Sequence, residues 1–371
     1  MKKYINQMDM KQANAADLFA LIRKYRQLTR KEIETKTGFS WGAVSEITAS
    51  LLEQNYIREF KAEKTSGVGR TPSYLEVNTT NHFVLGIDIN LSGLKAILIN
   101  LKNEVLATHF AKVTSTDKDS FLDEIYTFLE ESLEFASGKD VIAIGIAMQG
   151  IVDPVHGISV SLPQCRNWSE VPLAELLYSR FQIPVFLEHD PDCILYAVST
   201  EAVYRDALLL RVDNGIGMSV LSEGKILNKP GMFEIGHTIS VLGGAPCSCG
   251  KRGCLEVYAS TDGMSRLAGT DFDTLVQKAR AGHPESIGLF HDMAGHLALA
   301  LSNAAHLLHM TKVFLCGNMW LYKDLFYGTF LEQVQLTDAP SSLAFSFVDV
   351  ENAATGAALI AAERVLKHLK F

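Results

Sequence analysis

The chain has 371 residues, 47% of them hydrophobic and 20% charged, an ordinary composition for a globular protein of two or three domains with large cores. It holds no run of about 18 uncharged apolar residues, and its start, Met-Lys-Lys-Tyr-Ile-Asn-Gln-Met, lacks an apolar stretch of export-signal length; membrane insertion is not expected, and a cytoplasmic location is. The net charge of −8 conceals an asymmetry: residues 1–78 carry 13 Lys+Arg against 9 Asp+Glu and the remainder 21 against 33, so only the head suits a polyanion.

Residues 15–26 place Leu18, Leu21, Ile22 and Tyr25 on one face at helical spacing. Thr29, with Glu32 three residues on, predicts a capping box for a short second helix that Gly38 ends. Ser40 caps a third helix over 41–54, whose Val44, Ile47, Leu51 and Leu52 keep one apolar stripe. Helix, short helix, glycine turn and longer helix form the helix-turn-helix pattern.

Two strands, 56–61 and 73–77, come next, and the polar, glycine-rich loop between them predicts a wing, giving a winged helix over residues 1–78. The tip Gly69-Arg70-Thr71-Pro72 is similar to Gly-Arg-Pro elements that set an arginine into a narrow A·T minor groove. Ser40, Trp41, Ser45 and Glu46, at the exposed start of the third helix, are candidate contacts to a double-stranded DNA operator, together with Arg70. A trihelical unit that binds protein is the alternative reading.

From about residue 82 strands alternate with helices, an α/β pattern. Strands are expected at 83–89, 93–100, 104–112 and 141–147, with a helix over 119–137. Another strand, 184–187, leads into Glu188-His189-Asp190. A carboxylate at a strand's C-terminal end can accept two hydroxyl hydrogen bonds, which makes Asp190 a candidate polyol ligand; its alternative role is N-cap of a helix over 192–203. Helices are also expected over 292–310 and, rich in small residues, 352–368.

Between Glu234 and Glu256 stand His237, Cys247, Cys249 and Cys254, interleaved with five glycines. Three thiolates and one imidazole make a closed tetrahedral set for a structural Zn²⁺, with no position left for a catalytic water. Half of the six cysteines fall within eight consecutive residues, which favours a metal over buried or disulfide-bonded thiols. Cys165, Cys193 and Cys316 are isolated and read as buried thiols.

The Glu-x-x-His step and the Cys-x-Cys-Gly-x-x-Gly-Cys-x-Glu cluster resemble the signature of the ROK family of repressors and sugar kinases. The resemblance implies zinc at His237, Cys247, Cys249 and Cys254, and a sugar or sugar phosphate held by the same His237 with Glu234 and Glu256. Gly145-Ile-Ala-Met-Gln-Gly150-Ile-Val-Asp153 is similar to a further family step and implies Gly150 at the sugar. Leu162-Pro163-Gln164-Cys165-Arg166-Asn167-Trp168 resembles the second sugar loop and implies Asn167 as an amide ligand. At His189-Asp190 the family's kinases carry Asn-Asp, the Asp being the general base; here Asp190 is kept and His189 replaces Asn. The implied fold is a two-lobed, actin-like, ribonuclease-H-like sugar-kinase body, with lobe one at 82–190 plus 355–371 and lobe two at 191–354.

The nucleotide side departs from that pattern. A kinase needs backbone N–H groups of glycine hairpins at the ATP phosphates. Where Asp-x-Gly-Gly-Thr is expected, the chain has Asp88-Ile89-Asn90-Leu91-Ser92; the second hairpin, Asp213-Asn214-Gly215-Ile216-Gly217-Met218, lacks its last glycine, and Gly317-Asn318 keeps one of a pair. The expectation is a sugar-responsive transcriptional repressor, a homodimer or homotetramer, without catalysis. An ATP-dependent sugar kinase bearing a DNA-binding head is the alternative, and a body that binds a protein partner is the third.

Overall fold

The structure, a computed structural model, describes residues 7–61, 72–202, 204–227, 231–337 and 343–367. The chain divides into two compact units: residues 1–150, 156–188 and 357–371 form the first, and 151–155 with 189–356 the second.

The first unit opens with helices Gln7–Tyr25, Arg30–Thr37 and Trp41–Glu53, followed by an antiparallel hairpin of Ile57–Lys61 with Ser73–Val77. The capping box is formed: Glu32 N–H donates to Thr29 Oγ1, and Thr29 N–H donates to the Glu32 carboxylate at 2.8 Å. These bonds hold the Glu32 carboxyl below its ordinary range. Gly38 closes the helix in the left-handed region at φ 72°, and Ser40 Oγ accepts from Ala43 N–H at the next start. Leu18, Ile22, Ile33, Val44 and Leu51 are fully buried between these elements. The first helix begins eight residues earlier than residue 15, because the polar stretch before it carries no apolar period to announce it.

The Tyr56–His82 stack and the Glu76–Lys102 ion pair join this head to the rest of the first unit. His82 stacks on Tyr56 with ring centroids 4.3 Å apart. Burial, with Asp140 nearby, pushes the Tyr56 hydroxyl up to about 12. Glu76, almost buried, receives Arg58 at 2.6 Å and Lys102 at 3.5 Å.

Beyond the head runs a five-stranded sheet in the order Val185–His189, Asp140–Met148, His82–Asn90, Gly93–Asn100, Val105–Ala111. His82–Asn90 pairs parallel with Asp140–Met148 and antiparallel with Gly93–Asn100. Helix Asn352–Lys367 lies so close to the sheet that a Cβ on Gly145 would stand 2.9 Å from the Ala361 methyl and closer still to the Ala357 carbonyl.

The second unit carries a sheet in the order Lys225–Ile226, Ile216–Ser222, Ala207–Val212, Lys312–Cys316, Ala344–Phe347. Its core gathers Leu208, Leu210, Phe290, Leu297, Leu301 and Phe330. Each such side chain contributes about 1.5–3 kcal/mol by leaving water. The long helix Pro284–Leu308 supplies much of this face. It starts eight residues before 292 because Pro284 fits a first helical turn, where its missing N–H costs nothing. Among the described residues, no helix is long and apolar enough to cross a membrane.

Candidate functional site

The ligand atoms of His237, Cys247, Cys249 and Cys254 all lie within 4.8 Å of one another. Cys249 Sγ is 3.6 Å from Cys254 Sγ, and Cys247 Sγ is 3.7 Å from His237 Nδ1. Tetrahedral ligands with Zn–S near 2.3 Å stand about 3.8 Å apart, so the set fits a zinc ion. His237 comes from the short helical turn Ile235–His237, and Cys254 directly precedes helix Leu255–Ala259. Gly253 lets the loop close: its φ is +78°, and a Cβ there would collide with the Val241 carbonyl. Burial opposes ionisation of Cys249, yet the Lys251 N–H and neighbouring thiols outweigh it and lower that pKa. Burial and the neighbouring cysteines push Cys254 up to about 12.

Glu256, on the helix after Cys254, accepts the Ile216 N–H at 3.2 Å. Burial raises its pKa first, with Glu234 adding to the rise and His237 opposing it. The turn Asp213–Gly217 thus has Glu256 against Gly215, and Pro191 with His189 against Gly217. Asp190, His189, Glu234, His237 and Glu256 all belong to this second unit, and Gly150 and Asn167 to the first. Glu234 is one wall of a cavity of about 360 Å³ with Met218, Phe233, Leu299 and Asn303, a volume in the range of small-ligand sites. In the first unit Gly150 turns at φ 90° against the Ser161 carbonyl, and Asn167 is exposed at φ 62°.

Asp190, read from the sequence as a polyol acceptor, already holds a counter-charge. It is the first residue of helix Asp190–Ala202 and buried, with one oxygen taking Arg211 Nη1 and the other 3.5 Å from His189 Nε2. Arg211 Nε donates to Asp213 at 2.6 Å. Burial works against the guanidinium charge, but Asp190 and Asp213 together outweigh it and raise its pKa. Sequence reasoning missed Arg211; its signal was a lone cation in the apolar run Leu208-Leu209-Leu210-Arg211-Val212. It also missed Asp192, fully buried beside Ser219 Oγ at 2.5 Å, whose carboxyl burial pushes up to about 6.

On the head, Trp41 is 52% exposed at the start of the third helix, and Ser45, one turn on, is half-buried on the same face. Ser40 is occupied as the helix cap. Glu46 is exposed but paired with Lys11 Nζ at 2.6 Å, so it reaches solvent as half of an ion pair. Arg70 lies outside the described residues.

The xylose repressor of Caldicellulosiruptor bescii is 27% identical over 259 residues, 68% of this chain and 64% of that protein's length. The DNA-binding transcriptional dual regulator NagC of Escherichia coli K12 is 25% identical over 336 residues, 84% of this chain and 81% of that one. Among solved structures, a ROK family transcriptional regulator, a homologue of E. coli Mlc, superposes with a TM-score of 0.81 at 21% identity, covering 97% of both chains. A ROK family glucokinase from Streptomyces griseus, in complex with glucose and AMPPNP, gives 0.62 at 20% identity, covering 75% of this chain and 99% of its own. Residues 84–364 match the ROK family, so the chain belongs to it.

Proposed function

We propose that this chain is a sugar-responsive DNA-binding regulator, a repressor of carbohydrate uptake or catabolism genes that a sugar or sugar phosphate releases from its operator. One observation carries this reading. The glucokinase fold is exhausted by three quarters of this chain, whereas the regulator's fold extends over 97% of it, the difference corresponding in size to the helix-turn-helix head. In this reading residues 1–78 bind DNA through Trp41 and Ser45, with Ser40, Glu46 and the wing's Arg70 beside them. Residues 82–190 plus 355–371, and 191–354, form the two sugar-binding lobes. Gly150, Asn167, His189, Asp190, Glu234, His237 and Glu256 take the sugar hydroxyls, and a structural zinc fixes the loop that carries His237 and precedes Glu256. The protein acts as a homodimer or homotetramer, and its sugar shifts it between arrangements through unequal affinity for them. Catalysis is not part of this reading, because Arg211 holds the carboxylate of Asp190.

Selection of random double-stranded DNA, followed by anisotropy titrations of the selected sequence with a panel of sugars and sugar phosphates, tests it. A palindromic site is expected, with affinity falling in the presence of one compound. Ser45→Ala should change base preference within the half-site by about 1–3 kcal/mol, and Trp41→Ala should weaken binding. Failure to enrich any sequence would sink the proposal.

A further inference from the structure

Strands Ala207–Val212 and Lys312–Cys316 run parallel as neighbours, with Arg211 opposite Cys316. In open α/β sheets, ligands settle beyond the carboxyl ends of such strands, where turn N–H groups can meet an anion. What stands there is Asp213, the residue directly after the first strand. One of its carboxylate oxygens accepts the Asn318 backbone N–H, just beyond the end of the second strand. The other accepts Arg211 Nε at 2.6 Å. Gly317 makes this approach possible, since a Cβ there would collide with the Val212 carbonyl. Arg211 and Asp213 side chains are each only 15% exposed, and that of Asp190 4%. One guanidinium therefore serves two carboxylates, and Nε, Nη1 and the Asn318 N–H are all spoken for.

We propose that the Asp213 carboxylate is a built-in anion seated in a latent phosphate-binding position, with Arg211 and the Asn318 N–H as its receptor. A soluble phosphate competes for the same donors against a tethered carboxylate whose effective concentration is far higher than its own. The same guanidinium, shared with Asp190, holds that carboxylate in an ion pair as well. The charged phosphates of a nucleotide are thus turned away by occupancy and by like charge, while neutral hydroxyls are not. This position stands apart from the regulatory reading, since operator and sugar binding can both fail while Asp213 variants still gain phosphate affinity.

The test is calorimetric titration of the full chain with inorganic pyrophosphate and with ADP, for wild type, Asp213→Asn and Asp213→Gly, each checked for folding by circular dichroism. Wild type should show no saturable binding at low millimolar ligand. Asp213→Gly frees Arg211 Nε and the Asn318 N–H, and should bind pyrophosphate at least about ten-fold more tightly. Asp213→Asn, which keeps the shape but not the charge, should gain less. Adding Arg211→Met to either variant should abolish the gain. Wild-type binding as tight as that of the variants, a gain that persists without Arg211, or no gain in whichever Asp213 variant folds, would each overturn the proposal. Asp213→Asn decides the matter if the glycine variant does not fold.

Discussion

His82 Nε2 lies 2.7 Å from the carbonyl oxygen of Gln54, the residue that ends helix Trp41–Glu53. The other ring nitrogen lies 2.7 Å from Asp140, at the start of the strand that pairs with His82–Asn90. One imidazole therefore ties helix Trp41–Glu53 to two strands of the body sheet. His82→Ala leaves the Gln54 carbonyl without its imidazole partner, which costs about 0.5–1.5 kcal/mol, and removes the ring stacked on Tyr56. The variant should melt lower, and amide exchange over Ile57–Lys61 and Ser73–Val77 should quicken before the body sheet is affected. Unchanged melting and unchanged exchange would show that the junction is held elsewhere.

Purified protein should contain one zinc per chain by elemental analysis. Cys249→Ser should lose it and lower the melting temperature, because Gly253, Val241 and the helix bearing Glu256 are positioned by the same loop. Full metal content in that variant would remove Cys249 from the ligand set.

Asp192 predicts a pH dependence of stability. Its folded pKa of about 6 lies above the usual carboxylate value, so the native state binds the proton more tightly than the unfolded chain. The stability it contributes is full below about pH 4 and is lost as pH rises through about 6. Across that window the loss is on the order of 2–3 kcal/mol. Asp192→Asn, neutral at every pH, should flatten this part of the profile in urea melts between pH 4 and 7. A profile identical to wild type would place the titration on another group.

The head and the cysteine cluster were legible because their signals are local. Thr29 and Glu32 are three residues apart, Gly38 ends a helix by its own backbone freedom, and Cys247, Cys249 and Cys254 meet within one loop. The Arg211 network could not be read that way. Asp190 stands 21 residues from Arg211, brought there by the packing of a helix on a strand, and Asn318 stands 105 from Asp213, brought there by the pairing of two distant strands. Hence the sequence offered Asp190 as a free acceptor where the fold supplies a counter-charge. The early starts of Gln7–Tyr25 and Pro284–Leu308 escaped for another reason. Their first turns are polar or begin at proline, and periodicity registers only where an apolar face is buried.

The contact of Gly145 with Ala357 and Ala361 bears on the order in which the chain can be made. A ribosome delivers the head and the first sheet through Val185–His189 first, then the continuous part of the second unit, and after it the helix that covers Gly145. The second unit, apart from five residues, is continuous from 189 to 356 and can close while still attached. The unit that carries helix Trp41–Glu53 must wait for residues 357–367 before Gly145 gains its cover. A stop codon a few residues before Ala357 would therefore harm the first unit, although nearly all of that unit is encoded upstream of the second.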